Sequence, residues 1–233
     1  MNVNVLLEPG QKGTCEKTVI IIDVLRATSS IVTALANGAS SVEAVGSVTR
    51  AREMKKDDPD LVITGERGSI RPEGFDLGNS PLEFTSEKVK GKRVVITTTN
   101  GTRAIEKFAV ADSILLAALL NIDAVTRQIV DSEAEVTVVC AGTNGVPSIE
   151  DVFCAGALAN GLIDKGYVTD DSARIALATY YRHKEDTGSL LKKESGHGRY
   201  LDSIGLGDDT SYCAKMNLHD LVPISLGQRV FVR

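Results

Sequence analysis

Residues 94–108 read VVITTTNGTRAIEKF and residues 136–153 read VTVVCAGTNGVPSIEDVF. Each opens on a β-branched run, passes through small polar residues to Thr-Asn-Gly, and runs on into a segment of helical character. A run of that kind suits a buried strand, and strand, turn and helix in that order form the unit from which parallel sheets are wound. Outward from these two stretches the same alternation continues. Strands are expected over Val3–Leu7, Thr18–Asp23, Ser41–Val45, Leu61–Thr64, Val94–Thr98, Ser113–Ala117 and Val136–Cys140, with an edge strand within Val222–Val232. Helices are expected over Ser29–Asn37, stopped by Gly38, and over Val48–Lys56, Gly101–Phe108 and Ile122–Asp131. Further helices are expected near Ile149–Lys165, over Ser172–Tyr181 and from Leu190 to about Glu194. The expected fold class is α/β, a parallel or mostly parallel sheet with helices on both faces.

Composition excludes several classes. The 233 residues are 42% hydrophobic and 24% charged, an ordinary globular balance. Net charge is −5, without a basic block, and there is no Trp, so a nucleic-acid partner is disfavoured. Apolar runs such as Val19–Ile22 and Ile114–Leu120 are too short to span a membrane. The start, MNVNVLLEPG, lacks the basic region and core of a signal, so a cytoplasmic protein is expected. Cys15, Cys140, Cys154 and Cys213 form no CxxC pair and are expected to be reduced and buried. Cys140 heads no cysteine-phosphatase loop, because Val146 stands where that loop needs Arg.

Parallel sheets bind ligands beyond the C-terminal ends of their strands, so the residues that follow each strand matter most. After the most hydrophobic strand comes Asp23-Val-Leu-Arg26-Ala-Thr28-Ser29-Ser30. Asp23 can bind a divalent metal or hold an Arg, and Arg26 with the Thr28 and Ser29 hydroxyls at a helix start suits an anion. The plainer reading is a helix cap by Thr28 or Ser29 with Asp23 paired to Arg26. Leu25 occupies the place of the second Asp of a DxD phosphatase motif, so that mechanism is not supported. The segment Gly65–Pro81, GERGSIRPEGFDLGNSP, is a long Gly- and Pro-bearing loop carrying Glu66, Arg67, Arg71, Asp76, Asn79 and Ser80. Loops of this length in a compact domain are usually functional, with a solvated surface loop as the alternative.

The two Thr-Asn-Gly turns complete the set. Thr99, Asn100, Gly101, Thr102 and Arg103 offer hydroxyls, an amide, backbone N–H groups and a guanidinium, all suited to phosphate or sulfonate. Turn chemistry and a cap by Thr102 or Asn100 is the alternative. Thr143, Asn144, Gly145 and Ser148 lead to Glu150 and Asp151, where acidic residues either complement the helix dipole or help to bind a metal. His197, between glycines, is expected in an exposed loop. No P-loop or GxGxxG fingerprint is present.

Taken together, DVLRATSS, GERGSIRPEGFDLGNSP, TTTNGTRAI and AGTNGVPSIEDVFCAGAL, in this order and spacing, resemble the 2-phosphosulfolactate phosphatase family. The tail SGHGRYL…DTSYCAKMNLHDLVP extends the resemblance over almost the whole chain, so residues 1–233 are read as one α/β phosphatase domain. The resemblance implies a three-layer α/β/α fold with a mostly parallel or mixed sheet. It also implies Mg²⁺-dependent acid hydrolysis of 2-phosphosulfolactate to sulfolactate and phosphate, in coenzyme M or sulfolactate biosynthesis. On that reading Asp23, Arg26, Glu66 and His197 are catalytic, His197 as general acid. Mg²⁺ ligands are drawn from Asp23, Glu66, Glu150 and Asp151. Arg26, Asn100, Thr102 and Arg103 hold phosphate, and Asn144 and Ser148 the carboxylate or sulfonate. Thr28, Ser29, Asn79, Ser80, Thr99, Gly101, Thr143 and Gly145 complete the substrate-binding set. The partner expected is a small anionic phospho-acid; a homo-oligomer stays open.

Overall fold

The computed structural model describes residues 1–11, 17–225 and 229–233. Cys15 and part of the expected Val222–Val232 strand lie outside the described residues. The strand residues divide between two sheets. The larger has six strands: β1 (Asn2–Leu6), β2 (Thr18–Ile22), β6 (Ser113–Ala117), β7 (Val136–Cys140), β8 (Val168–Thr169) and β9 (Ile224–Ser225), in the order β8-β1-β7-β2-β6-β9. All of its neighbours are parallel except β9, which runs antiparallel to β6. The smaller sheet has β3 (Ser41–Ala44), β4 (Val62–Gly65), β5 (Arg93–Thr97) and β10 (Val230–Phe231), in the order β10-β3-β5-β4, with only β10 antiparallel.

β2 sits inside the large sheet and is buried on both faces, which is why it reads TVIII without alternation. Ile20 and Ile22 join one core with Val125 and Ile129 of α5 (Ile122–Ser132) and Phe153, Leu158 and Leu162 of α6 (Ile149–Ile163). Val19 and Ile21 join a second core with Ile31 and Leu35 of α1 (Ala27–Ala36) and Ile105 of α4 (Gly101–Lys107). Each of these fully buried side chains contributes about 1.5–3 kcal/mol relative to exposure. The result is a three-layer α/β/α arrangement about a mixed sheet. The second core also takes Val42, Val62, Val94 and Ile96 from the small sheet, so α1 and α4 lie between the two sheets. The far face of the small sheet, with Val45, Ile63 and Val95, is covered by Ala51 and Met54 of α2 (Val48–Asp57).

Several boundaries differ from the sequence reading. α1 begins at Ala27, two residues early, because the Asp23 carboxylate accepts the Ala27 N–H at 3.1 Å and the Asp23 carbonyl accepts the Thr28 N–H. Neither Thr28 nor Ser29 caps it. The single edge strand expected at the C-terminus is two short ones, β9 on the large sheet and β10 on the small. The short helices α3 (Ser86–Val89) and α8 (Thr187–Ser189) carried no periodicity to reveal them. α7 (Asp171–His183) matches expectation and is capped by Asp170, which accepts the Ala173 N–H. Leu190–Glu194 is a π turn.

His197 lies in α9 (Gly196–Ser203), followed by α10 (Gly207–Cys213), and not in an exposed loop. Ser195 caps α9, its hydroxyl accepting the Gly198 N–H at 2.8 Å. A Cβ on Gly198 would overlap the Leu191 carbonyl oxygen. That glycine serves close packing of a helix, so flanking glycines here did not signal a flexible loop. Cys140, Cys154 and Cys213 are free and buried. Among the described residues no helix is long and apolar enough to cross a membrane.

Candidate active site

The strand ends bring the site together. In the large sheet β2 and β7 are neighbours with Ile22 opposite Cys140, so Asp23 and Ala141 leave the sheet side by side. In the small sheet Gly65 lies opposite Thr97. Gly65 has φ +144°, and a Cβ there would overlap the Thr97 carbonyl, so only glycine lets β4 end so close to β5. Glu66 and Thr98 follow from these positions. The sheets meet at Gly101, where an added Cβ would lie 2.5 Å from Ala27 Cβ and 2.6 Å from Asp23 Oδ2. The start of α4 is thereby pressed against the end of β2.

A cavity of about 410 Å³ opens between these ends. Asp23, Arg26, Glu66 and Asn79 line it, together with His197 and Tyr200 of α9. The turn residues Thr99, Asn100, Thr143 and Asn144 complete the wall. Two tight turns reach the cavity with their tips. Thr143 and Val146 exchange backbone hydrogen bonds around Asn144 (φ +54°) and Gly145 (φ +77°). Arg67 and Ile70 do the same around Gly68 (φ +58°) and Ser69 (φ +65°). Positive φ at both central residues marks the mirror-image hairpin turn. The first Thr-Asn-Gly is different: Asn100 has φ −111° and Gly101 starts α4 directly. Equal tripeptides therefore make unequal turns.

Glu66 joins two loops, accepting the Ser69 N–H and the Thr99 N–H, each at 2.7 Å. Arg26 donates to Asp209 Oδ2 at 2.6 Å and to the Ser69 carbonyl at 3.1 Å. Burial pushes the Asp23 carboxyl up to about 7; the Ala27 N–H opposes this, the charges of Glu66 and Glu150 add to it, and Arg26 opposes it. Burial, with Arg26 second, lowers His197 below the usual imidazole range, against the pull of Glu66. Among the described residues, three polar atoms of the cavity lining are buried without a partner: Arg26 Nε, Asn79 Oδ1 and Thr99 Oγ1. Such orphans are costly unless a ligand satisfies them.

Other residues singled out in the sequence lie behind the wall. The Thr28 hydroxyl bonds with the Asp23 backbone, and the Ser29 hydroxyl donates to the Val24 carbonyl. Thr98 and Thr102 cap one another reciprocally, so neither Thr102 nor Asn100 caps α4 by its side chain as expected. Ser148 and Thr143 share a hydrogen bond between hydroxyls at 2.8 Å. Ser80 donates to Asp209 at 2.5 Å. Arg103 is exposed on α4 and Gly145 at its turn, and neither lines the cavity.

The four carboxylates expected as metal ligands divide two and two. Asp23 and Glu66 face the cavity. Asp151 accepts the Val24 N–H at 2.8 Å and the Gly142 N–H at 3.0 Å, tying β2 to β7. Glu150 is hydrogen-bonded to Ser195, the cap of α9. Burial raises both carboxyls, with Asp23 and Glu150 adding to the shift at Asp151. Among the described residues no group of three or more His, Cys, Asp or Glu side chains is disposed to hold a metal ion. Mg²⁺ is commonly held by one or two carboxylates together with substrate phosphate and water, and Asp23 and Glu66 are the carboxylates that line the cavity.

Ser69, Tyr200 and Asp209 fall within the stretches GERGSIRPEGFDLGNSP, SGHGRYL and DTSYC quoted above, but nothing there singles them out. Asp209 is in a helix and follows no strand, and Tyr200 joins His197 only once residues 196–203 are helical.

A family model described as 2-phosphosulpholactate phosphatase matches residues 6–228. The chain is 43% identical over 230 residues to a protein of Thermotoga maritima named probable 2-phosphosulfolactate phosphatase, covering 99% of this chain and 97% of that one. Proteins of the same name are similar in Caldanaerobacter subterraneus subsp. tengcongensis, at 43% over 89% of this chain and 87% of the relative, and in Deinococcus radiodurans, at 42% over 88% and 85%.

Proposed function

The chain belongs to the 2-phosphosulpholactate phosphatase family, and we propose on that premise that it hydrolyses 2-phosphosulfolactate to sulfolactate and phosphate at the cavity between the two sheets. It is a phosphoric monoester hydrolase. The observation that carries the assignment of the site is the meeting in one cavity of two carboxylates, Asp23 and Glu66, with the Arg26 guanidinium and the buried side-chain oxygens of Asn79 and Thr99, which have no partner among the described residues.

Arg26 and the Thr99 hydroxyl bind the phosphoryl oxygens and offset the charge that builds there in the transition state. Asp23, with its carboxyl near 7, is suited to accept a proton from the attacking water. The water oxygen bonds to phosphorus as the ester P–O bond breaks. His197 gives its proton to the departing alkoxide of sulfolactate. Asn100 and Asn144 face the remainder of the substrate, where its carboxylate and sulfonate need donors. Asp23 and Glu66 would hold Mg²⁺, which when bound lowers the pKa of water and neutralises phosphate charge. The product would serve sulfolactate or coenzyme M biosynthesis, in a cytoplasmic setting.

Phosphate release from 2-phosphosulfolactate, with and without Mg²⁺, tests the reading. Release that requires the cation is expected. Tight substrate binding without release under either condition would overturn it.

A further inference from the structure

Arg26 is the central cation of the cavity; of its two side-chain hydrogen-bond partners among the described residues, Ser69 lines the cavity and Asp209 lies behind the wall. Nη1 donates to Asp209 Oδ2 at 2.6 Å and Nη2 to the Ser69 carbonyl at 3.1 Å. The side chains of Arg26 and Asp209 are 2% and 3% exposed. The other Asp209 oxygen accepts the Ser80 hydroxyl at 2.5 Å, so both of its oxygens are engaged. Two distant parts of the chain, α10 and the loop after β4, thus meet at one guanidinium, and Ser80 at the end of that loop reaches it through Asp209. Arg26 Nε is buried and has no partner among the described residues.

Asp23 and Glu66 line the same cavity as Arg26. A guanidinium held only by a backbone carbonyl would be drawn to one of these carboxylates. It would then cancel the charge that phosphate is meant to meet, and its fork would be spent on the protein. We propose that Asp209, braced by Ser80, is a positioning residue: it anchors Arg26 off Asp23 and Glu66 and leaves Nε directed to the phosphoryl group. The proposal rests on the phosphatase reading above. It gives Ser80 a place behind Asp209 and gives α10 a part in the site.

A double-mutant cycle tests it. Asp209→Asn is near-isosteric and should lower kcat/KM about 10- to 100-fold, the scale of misorienting a group that contacts substrate. Ser80→Ala should act in the same direction, about threefold by loss of a single bracing hydrogen bond. In an Arg26→Ala background, Asp209→Asn should cost no more than about twofold, the additivity limit for a residue that acts only through Arg26. A full loss retained in that background would overturn the proposal, as would a folded Asp209→Asn protein of unchanged kcat/KM. Should Asp209→Asn fail to fold, Ser80→Ala with Arg26→Ala makes the same cycle. Inorganic phosphate affinity by calorimetry is the second readout. If the wild type releases no phosphate from any phospho-acid, the phosphatase reading fails. A phosphate affinity that falls in Asp209→Asn, but not further in the Arg26→Ala background, would still uphold the anchoring.

Discussion

Asn100 Oδ1 accepts the backbone N–H of Asn144 at 3.2 Å, so the two Thr-Asn-Gly turns touch. One turn leaves the small sheet and the other leaves the large sheet, and this bond is where they meet across the mouth of the cavity. Asn144 is exposed and its N–H can find water, so the bond adds little to stability. Its use is to set the distance between turns. Asn100→Ala should therefore raise KM by about tenfold, as one lost orienting contact does, while the melting temperature stays within a few degrees. An unchanged KM would mean that the turns hold their places without it.

Gly101→Ala is the sharper probe of how the sheets meet. The new methyl would lie 2.5 Å from Ala27 Cβ and 2.6 Å from Asp23 Oδ2, both closer than real contacts allow. α4 must shift away from β2. Overpacking of this kind costs about 1–3 kcal/mol. Activity should fall by more than stability alone explains, because Thr99 and Asn100 move with the helix. Equilibrium denaturation and steady-state kinetics on the same preparation check both halves. A variant of full activity and stability would show that the junction is loose.

Asp23 carries a cost in the fold that its chemistry explains. Its carboxyl rises from 3.8 in an unfolded chain to about 7 in the fold, chiefly through burial. Between those values the folded protein holds more protons than the unfolded one, so stability falls as pH rises through that window and stays low above it. Asp23→Asn removes the ionisation. It should abolish turnover and yet raise the melting temperature at pH 8, with little gain at pH 4. Mg²⁺ should raise the melting temperature of the wild type at pH 8 more than that of Asp23→Asn. A variant less stable than wild type at pH 8 would instead make Asp23 a structural acceptor for the Ala27 N–H.

The contrast between Asp23 and Asp209 shows what the sequence could reveal. Asp23 follows a strand whose last four residues, Val19–Ile22, are apolar, and the rule that ligands gather at strand ends finds it. Glu66, Asn100 and Asn144 were legible on the same ground. The assignment of strands to two sheets was not, because a buried β-branched run looks alike in either. Asp151 and Glu150 are marked by type and place, but their bonds to the backbone N–H groups of Val24 and Gly142 and to the cap of α9 arise only from packing. Asp209 is set by the contact of α10 with Arg26, 183 positions away, and no local pattern encodes it.

His197 allows the last prediction. As general acid it must be protonated, and burial with Arg26 lowers its pKa below the usual 6.5. The protonated fraction in the free enzyme therefore falls away on the acidic side of neutrality, while ionisation of the Asp23 base rises toward about 7 and offsets it, so kcat/KM should hold level there and decline as pH rises above about 7. Bound substrate brings a phosphate dianion close to the ring, and an opposite charge favours the imidazolium. The decline in kcat, which reports the substrate complex, should thus lie at higher pH than the decline in kcat/KM. His197→Gln should lower kcat by about 10²–10⁴-fold and abolish that limb in both profiles. If the limb survives the substitution at the same pH, another group supplies the proton, and His197 serves only to close α9 over the cavity.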